Sequence, residues 1–216
     1  MIRVRQAVAA VFVLAAALTV VGPAYAEEDG PRALVAEFQN GLLGVMKEAK
    51  ALGVKGRFER LTPVIDKTFN LQVMIATITA PYWRAASDEQ RGKLLAAFRR
   101  MSIASAATLF DDYEGEQFKL IGERKGAGPT MLVDTRIDQI KDDPVDITYV
   151  TAKIRDRWWI IDIVVDSGIS ELTTRRSDYQ RLLREGGVSR LTAGLEDKAA
   201  NLLAGKERAR TETAQH

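Results

Sequence analysis

The amino-acid sequence predicts an α+β fold, and three features of its residue pattern lead to that class. Apolar residues recur at a helical period through the first half of the chain, up to Gly115. The period then changes to about two, in segments separated by short turns rich in glycine, proline and aspartate. Helical patterns return between residues 177 and 203. Helices, then an antiparallel sheet, then helices again are typical of an α+β domain.

The first two helices are predicted from spacing and from a capping signal. Apolar residues at helical spacing place the first helix over residues 31–51, with Gly53 as its stop. Thr62 and Pro63 have the form of an N-cap followed by proline at the first helical position. A second, short helix is therefore predicted to begin there.

Two helices of contrasting strength follow. The one over residues 71–79 is short, rich in β-branched residues and ended by Pro81, so its stability must come from packing. The next begins at Ser87, where residues 87–90 have the form of a capping box. If an element opens to admit a ligand, we expect it to be the short helix, because moving elements belong to the less stable part of a structure.

The strands are predicted to form an antiparallel meander over residues 117–124, 131–140, 145–154 and 158–165. Alternation along the last strand places Trp159, Ile161, Ile163 and Val165 on one face and Trp158, Ile160, Asp162 and Val164 on the other. Two helices, residues 177–184 and 188–203, then close the pattern on either side of Gly186 and Gly187.

The two ends of the chain predict export and a polar tail. Arg3 and Arg5 precede an apolar run, and residues 24–26 (AYA) form a small-x-small cleavage pattern, which is typical of a cleaved secretory signal. We expect a signal peptide over residues 1–26, a single domain over 27–205 and a disordered tail over 206–216. The location predicted for the mature protein is the periplasm.

Composition excludes several classes of site. The chain has no cysteine and one histidine, His216, at its last position, which removes thiol nucleophiles, Ser-His-Asp triads and histidine-rich metal sites. Its 31 basic and 29 acidic residues give a net charge of +2, and Arg3 and Arg5 lie in the signal segment, so the remainder carries 29 of each. Without a basic excess, nucleic acid is not an expected partner. No metal or cofactor is expected either.

The carboxylates have both a catalytic and a structural interpretation. The candidates for an acid/base pair are Asp111, Asp112, Glu114 and Glu116, together with Asp162 and Asp166 on one strand. Most lie beside basic residues, which favours solvated or ion-paired surface positions. Asp162 is the exception, because it lies between apolar neighbours and needs a partner if it is buried.

The last strand and the turn after it carry a resemblance to a known family. Residues 156–170 (DRWWIIDIVVDSGIS) resemble the strand-and-turn signature of the MlaC, or toluene-tolerance, family of periplasmic lipid-transport proteins. Within that family, residues 170–172 and 174–179 are most similar to the HpnM branch, which is associated with hopanoids. Arg176 matches the family pattern, Arg175 stands where a tyrosine is usual, and Tyr179 replaces a phenylalanine.

The resemblance implies an NTF2-like fold, in which a curved antiparallel sheet of about four strands packs against N- and C-terminal helices around a hydrophobic cavity. It implies a carrier rather than an enzyme, with a phospholipid or a hopanoid as ligand. The implied partners are membrane-anchored components of an ABC-type lipid transporter, with transient membrane contact. The residues expected to bind lipid are Met74, Ile78, Trp83, Phe98, Met101, Leu109, Val133, Ile147, Tyr149, Trp159, Ile161 and Ile163.

Each of these apolar residues also has an ordinary interpretation as core, since every globular helix needs an apolar stripe. The alternative function is a non-catalytic NTF2-like adaptor of a membrane complex whose core is filled by its own side chains. A hydrolase or isomerase is a third possibility, with Asp162 as the one candidate for a perturbed carboxylate. Basic residues such as Lys125, Arg175 and Arg176 are expected to be mostly solvated, with a minority meeting a partner or lipid headgroups.

Overall fold

The computed structural model describes residues 30–140, 142–166 and 168–205. The helices are α1 (Pro31–Lys47), α2 (Ala49–Thr68), α3 (Leu71–Ile78), α4 (Ala80–Ala85), α5 (Asp88–Leu109) and α6 (Glu171–Leu203). The strands are β1 (Gln117–Lys125), β2 (Thr130–Asp138), β3 (Val145–Ile154), β4 (Arg157–Val165) and β5 (Ile169–Ser170). The predicted signal peptide and polar tail lie outside the described residues.

The predicted α+β class is confirmed. The strands form one antiparallel sheet in the order β1-β2-β3-β4-β5, so each strand pairs with its neighbour in sequence. The short β5, which was not among the four predicted strands, pairs Ser170 with Val164 and leads directly into α6. The sheet is open and curved, and helices cover one of its faces.

The prediction of a helix start at Thr62 is wrong, because α2 runs through Pro63. The Thr62 hydroxyl donates to the carbonyl of Phe58 at 2.8 Å, one turn earlier in the same helix. Pro63 lies on the exposed side of α2, where water can bond the carbonyl that the proline ring leaves without a donor. The buried Leu61 and Ile65 on the other side hold the helix together. The predicted stop is instead a kink at Gly53, whose φ is +57°.

The capping box and the C-terminal break are confirmed. Ser87 Oγ accepts from the backbone N–H of Gln90, and Gln90 Oε1 accepts from the N–H of Ser87. The two predicted C-terminal helices are one element, α6, with non-helical backbone at Gly186 and Gly187. That element begins at Glu171, six residues before the predicted start, because Ser170 caps its first turn.

Strand β4 departs from simple alternation at one residue. Val150 pairs with Asp162 and Thr151 with Ile160, so Ile161 has no partner on β3 and forms a bulge. The bulge changes which residues share a face. The inner face of β4 carries Trp158, Ile160, Ile163 and Val165, and the outer face carries Trp159, Asp162 and Val164. The predicted grouping of Trp159 with Ile163 is therefore wrong.

The helices lie on the inner face of the sheet in two tiers. Helix α1 contacts β2, β3 and β4, while α3 contacts β4 on one side and α5 and α6 on the other. Helices α5 and α6 pack extensively together, and α2 packs against α5. Helix α3 therefore lies between β4 and α5, whereas α6 also contacts β4 directly. Among the described residues, no helix is long and apolar enough to cross a membrane.

Candidate functional site

The interior between the sheet and the helices brings together most of the residues predicted to bind lipid. Nine of the twelve belong to one apolar cluster: Met74, Ile78, Trp83, Phe98, Met101, Val133, Ile147, Tyr149 and Ile163. Phe38 of α1 lies in the same interior, with its ring centroid 4.9 Å from that of Phe69 and 5.9 Å from that of Tyr149. Phe38, Ile160 and Trp158 were not among the residues predicted to bind lipid, although their spacing on α1 and β4 marked them as apolar positions.

Three predicted residues lie outside this cluster. Leu109 ends α5 and is 72% exposed. Trp159 faces away from the helices, and the guanidinium of Arg157 lies 4.1 Å from its ring centroid. Ile161 is the unpaired bulge residue of β4 and is half-buried. The local backbone of β4 therefore separates Trp159 and Ile161 from Ile163.

A small polar group lies inside the apolar cluster beside the sheet. Gln39 Nε2 of α1 donates to Thr135 Oγ1 at 3.2 Å and to the Tyr149 hydroxyl at 3.4 Å. Burial raises the pKa of Tyr149 to about 12, because the phenolate would lose its hydration. The two hydrogen bonds of Gln39 hold α1 against β2 and β3.

A partly buried arginine lies between α5 and α6. Arg175 donates to Glu171 Oε1 at 2.6 Å and to the Tyr179 hydroxyl at 3.1 Å, and its guanidinium lies 5.8 Å from the Phe98 ring centroid. Burial acts to lower the pKa of Arg175, but Tyr179 and Glu171 outweigh it, so the net shift is upward. Arg175 stands where the resemblance expects a tyrosine, and its charge is satisfied inside the helix pair.

A cleft of about 240 Å³ opens between the α3–α4 connection and α6. Ile78 and Leu183 form part of its wall, and Tyr82 and Arg176 also line it. Arg176 donates to the carbonyl of Thr77 at 2.8 Å and so ties α6 to the end of α3. The predicted ligand residue Ile78 thus joins the interior to an opening at the surface.

A second, larger pocket of about 410 Å³ has a different character, because charged residues line it. Lys50 Nζ lies 2.9 Å from Asp112 Oδ2. The buried Arg57 donates to the carbonyls of Ala107 and Ala49, both at 2.7 Å. These contacts join α2 to the end of α5, which supports the structural interpretation of this acidic segment.

The structure gives Asp162 a structural role. Its Oδ1 accepts from the backbone N–H groups of Ile163 at 2.8 Å and Leu172 at 3.1 Å. Its Oδ2 accepts from the Ser170 hydroxyl at 2.5 Å. The carboxylate therefore fixes the first turn of α6 to β4. Within residues 30–140, 142–166 and 168–205, no cluster of three or more His, Cys, Asp or Glu side chains has the arrangement of a metal site.

Comparison with known proteins identifies the family. The MlaC protein family matches residues 36–197, which is 162 of the 216 residues. The chain belongs to the MlaC family. The match extends from α1 into the second half of α6, and so includes the apolar cluster, the cleft and the Arg175 group.

A solved structure shares the fold of this MlaC family member. It is a phospholipid-binding protein from Ralstonia solanacearum, determined in complex with a phospholipid. The two superpose with a TM-score of 0.69 at 18% sequence identity, over 79% of this chain and 97% of the other. At that identity the likeness shows the fold, which the MlaC family match shows independently from sequence.

Proposed function

We propose that this MlaC family member is a periplasmic carrier that binds a phospholipid or a hopanoid and moves it between the inner and outer membranes without chemical change. The signal-like segment at residues 1–26 supports export. Family membership and the phospholipid complex of the Ralstonia protein support a lipid ligand. The soluble component of an ABC-type lipid transport system, with membrane-anchored partners, is the role that fits such a carrier.

The observation that carries the proposal is the position of α3. This eight-residue helix buries Leu71, Met74, Ile75 and Ile78, and it lies between β4 and α5 while also contacting α6. Outward movement of α3 would expose apolar surface on the sheet and on the α5–α6 pair at the same time. That space would be continuous with the cleft beside Ile78.

Uptake must displace protein groups, because the cleft of about 240 Å³ is smaller than the roughly 300 Å³ at which small-molecule pockets usually begin. Each methylene moved from water into an apolar interior contributes about 0.8 kcal/mol. Ten to fifteen methylenes therefore contribute about 8 to 12 kcal/mol before the costs of binding. This is comparable to the cost of exposing the four buried apolar side chains of α3, at about 1.5 to 3 kcal/mol each. At the rim, Arg176 would meet the headgroup.

The adaptor with a filled core is the second candidate, and one observation favours it. Phe98, Met101 and Val133 are fully buried or nearly so, and protein side chains fill the space around them. An adaptor would keep the interior closed, whereas a carrier must open it to admit a lipid. Analysis of the lipid bound to the purified protein distinguishes the two functions.

The test is extraction of the purified mature protein with organic solvent, followed by mass spectrometry of the extract. We expect about one lipid per chain, either a phospholipid or a hopanoid. Ala80→Trp fills the cleft and should slow uptake from vesicles, while Ala96→Trp, on the exposed side of α5, is the matched control. An extract without lipid, together with no uptake from vesicles, would support the adaptor and contradict the carrier.

A further inference from the structure

The two β-hairpins of the sheet turn at the same end of the molecule, and that end carries an excess of positive charge. The β1–β2 and β3–β4 connections both lie there, because the sheet is a simple meander. Lys125 ends β1 and pairs with Met131, and Lys153 pairs with Trp158 near the end of β3. Arg155 forms the β3–β4 turn and Arg157 begins β4. We call these four basic residues, together with Trp159, the hairpin end.

The charge at the hairpin end is not cancelled by neighbouring acids. Lys125, Lys153, Arg155 and Arg157 are all exposed, and none has an ion pair with a described carboxylate. The nearby acids are engaged elsewhere: Glu123 pairs with Arg32, and Asp134 pairs with Arg124. Asp156, in the turn, is the one exposed acid among them. Four basic residues against one acid leave a local excess of three positive charges.

Arg155 occupies a turn position that a different residue would fill more easily. The turn between β3 and β4 has two residues, Arg155 and Asp156, with φ of +50° and +62°. Both values lie in the left-handed region, where Asn-Gly is the preferred pair of such a hairpin. An arginine there costs conformational energy relative to asparagine. The cost is consistent with a role for its charge at the tip.

Trp159 adds an amphipathic aromatic group at the same end of the sheet. It is half-buried on the outer face of the sheet, opposite Ala152, and the Arg157 guanidinium stacks over its ring. Arg157 also donates to the carbonyl of Lys67, which fixes the position of the stack. Tryptophan beside lysine and arginine is the residue combination that favours the headgroup region of a bilayer.

The opposite end of the sheet has the opposite charge. The β2–β3 connection carries the exposed Asp142 and Asp143 together with Lys141, Asp166 follows β4, and Asp146 is ion-paired with Arg136. Strands of nine or ten residues separate the two ends by about 30 Å. This exceeds the screening length of about 8 Å at physiological salt, so a surface at one end does not feel the charge at the other.

From these observations we infer that the hairpin end docks on an anionic lipid surface. The recognised chemistry is a plane of phosphate headgroups, which Lys125, Lys153, Arg155 and Arg157 meet together while Trp159 enters the headgroup layer. Docking at this end turns the acidic end away from the membrane. The inference assigns a membrane contact to the proposed carrier and so rests on that function, but it concerns a surface distinct from the lipid-binding interior.

The test is flotation of the mature protein with vesicles of phosphatidylcholine alone or with about one third phosphatidylglycerol. We expect binding to the anionic vesicles only, and loss of that binding when NaCl rises from about 0.05 M to about 0.5 M. The triple variant Lys125→Gln/Lys153→Gln/Arg155→Asn should weaken vesicle binding by at least about tenfold. The asparagine that this variant places in the turn suits the left-handed backbone, so the hairpin is expected to fold.

The matched control removes the same charge from the helical side. Lys55→Gln/Arg100→Gln/Lys198→Gln changes three exposed residues of α2, α5 and α6 and should bind anionic vesicles as the wild type does. Equal loss in both triple variants would show a general effect of net charge and overturn the assignment. Absence of wild-type binding to anionic vesicles would also overturn it and would favour an acidic protein as partner of this end.

Lipid extraction from the same preparations separates this inference from the proposed function. Normal lipid content with no vesicle docking would overturn the docking surface and leave the carrier function standing. Docking of a protein that never contains lipid would support the hairpin end as a membrane contact and contradict the carrier.

Discussion

Ile161, the bulge residue of β4, decides which aromatic side chains face the interior. Because it has no partner on β3, the alternation of β4 shifts by one, and Trp158 packs with the core while Trp159 faces outward. Sequence alone could not place this shift, since residues 158–165 are apolar at almost every position and both registers bury a comparable set. The pairing of Tyr149 with Ile163, two residues after the bulge, shows the register that β3 and β4 adopt in the fold.

The bulge predicts opposite outcomes for two neighbouring substitutions. Trp158→Glu should lower the free energy of unfolding by about 2 to 4 kcal/mol and reduce the lipid content, because the new charge enters the apolar cluster. Trp159→Glu should cost about 1 kcal/mol or less and leave the lipid content unchanged, because its side chain is on the outer face. Urea unfolding and lipid extraction of both variants measure this. A greater loss of lipid from the Trp159 variant would mean that the inner face has been misassigned.

Tyr149 predicts a dependence of stability on alkaline pH. Its pKa is about 12 in the folded protein and about 10 when unfolded, so its contribution is fully present below pH 10 and is lost as pH rises towards 12. Between pH about 8 and about 11.5 we therefore expect the free energy of unfolding of Tyr149→Phe to fall by about 2 kcal/mol less than that of the wild type. Urea unfolding at pH about 8 and about 11.5 gives the difference. Parallel losses in the two proteins would show that the Tyr149 hydroxyl is accessible to solvent.

Helix boundaries followed from the sequence where a local signal fixed them. The Ser87 capping box and the glycines at 186 and 187 act through the backbone of one or two residues, so they can be read locally. Pro63 led to a wrong helix start. Proline usually stands in the first turn of a helix, but here burial of Leu61 and Ile65 keeps α2 helical on both sides of it. The position of α3 between the sheet and α5 depends on contacts distant in sequence, and no local pattern predicts it.

Helix α3 is the element that we expect to open. It has eight residues, and its Asn70 cap, which accepts from the N–H of Val73 at 3.0 Å, supports one turn. Backbone amides of residues 73–79 should therefore exchange faster with deuterium in lipid-free protein than in loaded protein, while those of residues 94–101 in α5 change little. Hydrogen exchange with mass spectrometry on both forms measures this. Equal protection of α3 in the two forms would exclude it as the opening element.

Within the part of the chain that the structure describes there is no disulfide, and no cluster of side chains has the arrangement of a metal site. The stability of the fold therefore depends on its hydrophobic core, which the ligand would share. Sequence predicted the class, the strand order and nine of the interior residues, because these follow from periodicity summed over many positions. It did not predict how closed the interior is, which depends on the packing of all elements together.

Removal of lipid should lower the melting temperature of the whole protein. A ligand at about 100 times its Kd adds about 2.7 kcal/mol, which corresponds to about 5 to 10 °C for a chain of this size. Differential scanning calorimetry of loaded, delipidated and reloaded samples checks this. The reloaded sample should recover the higher melting temperature, and an unchanged value throughout would contradict binding in the interior.

Strand β1 forms the free edge of the sheet, since the far edge is closed by β5 and the start of α6. Leu120 and Ile121 are 51% and 59% exposed on this edge, which is the kind of surface on which a second chain adds a strand and aggregation begins. The register shift between Leu120 and Gly122 interrupts the edge at that point, and Lys119 adds a charge beside it. The irregularity of β1 thus hinders pairing of this edge with a second chain. A regular β1 without the register shift would favour fibril formation.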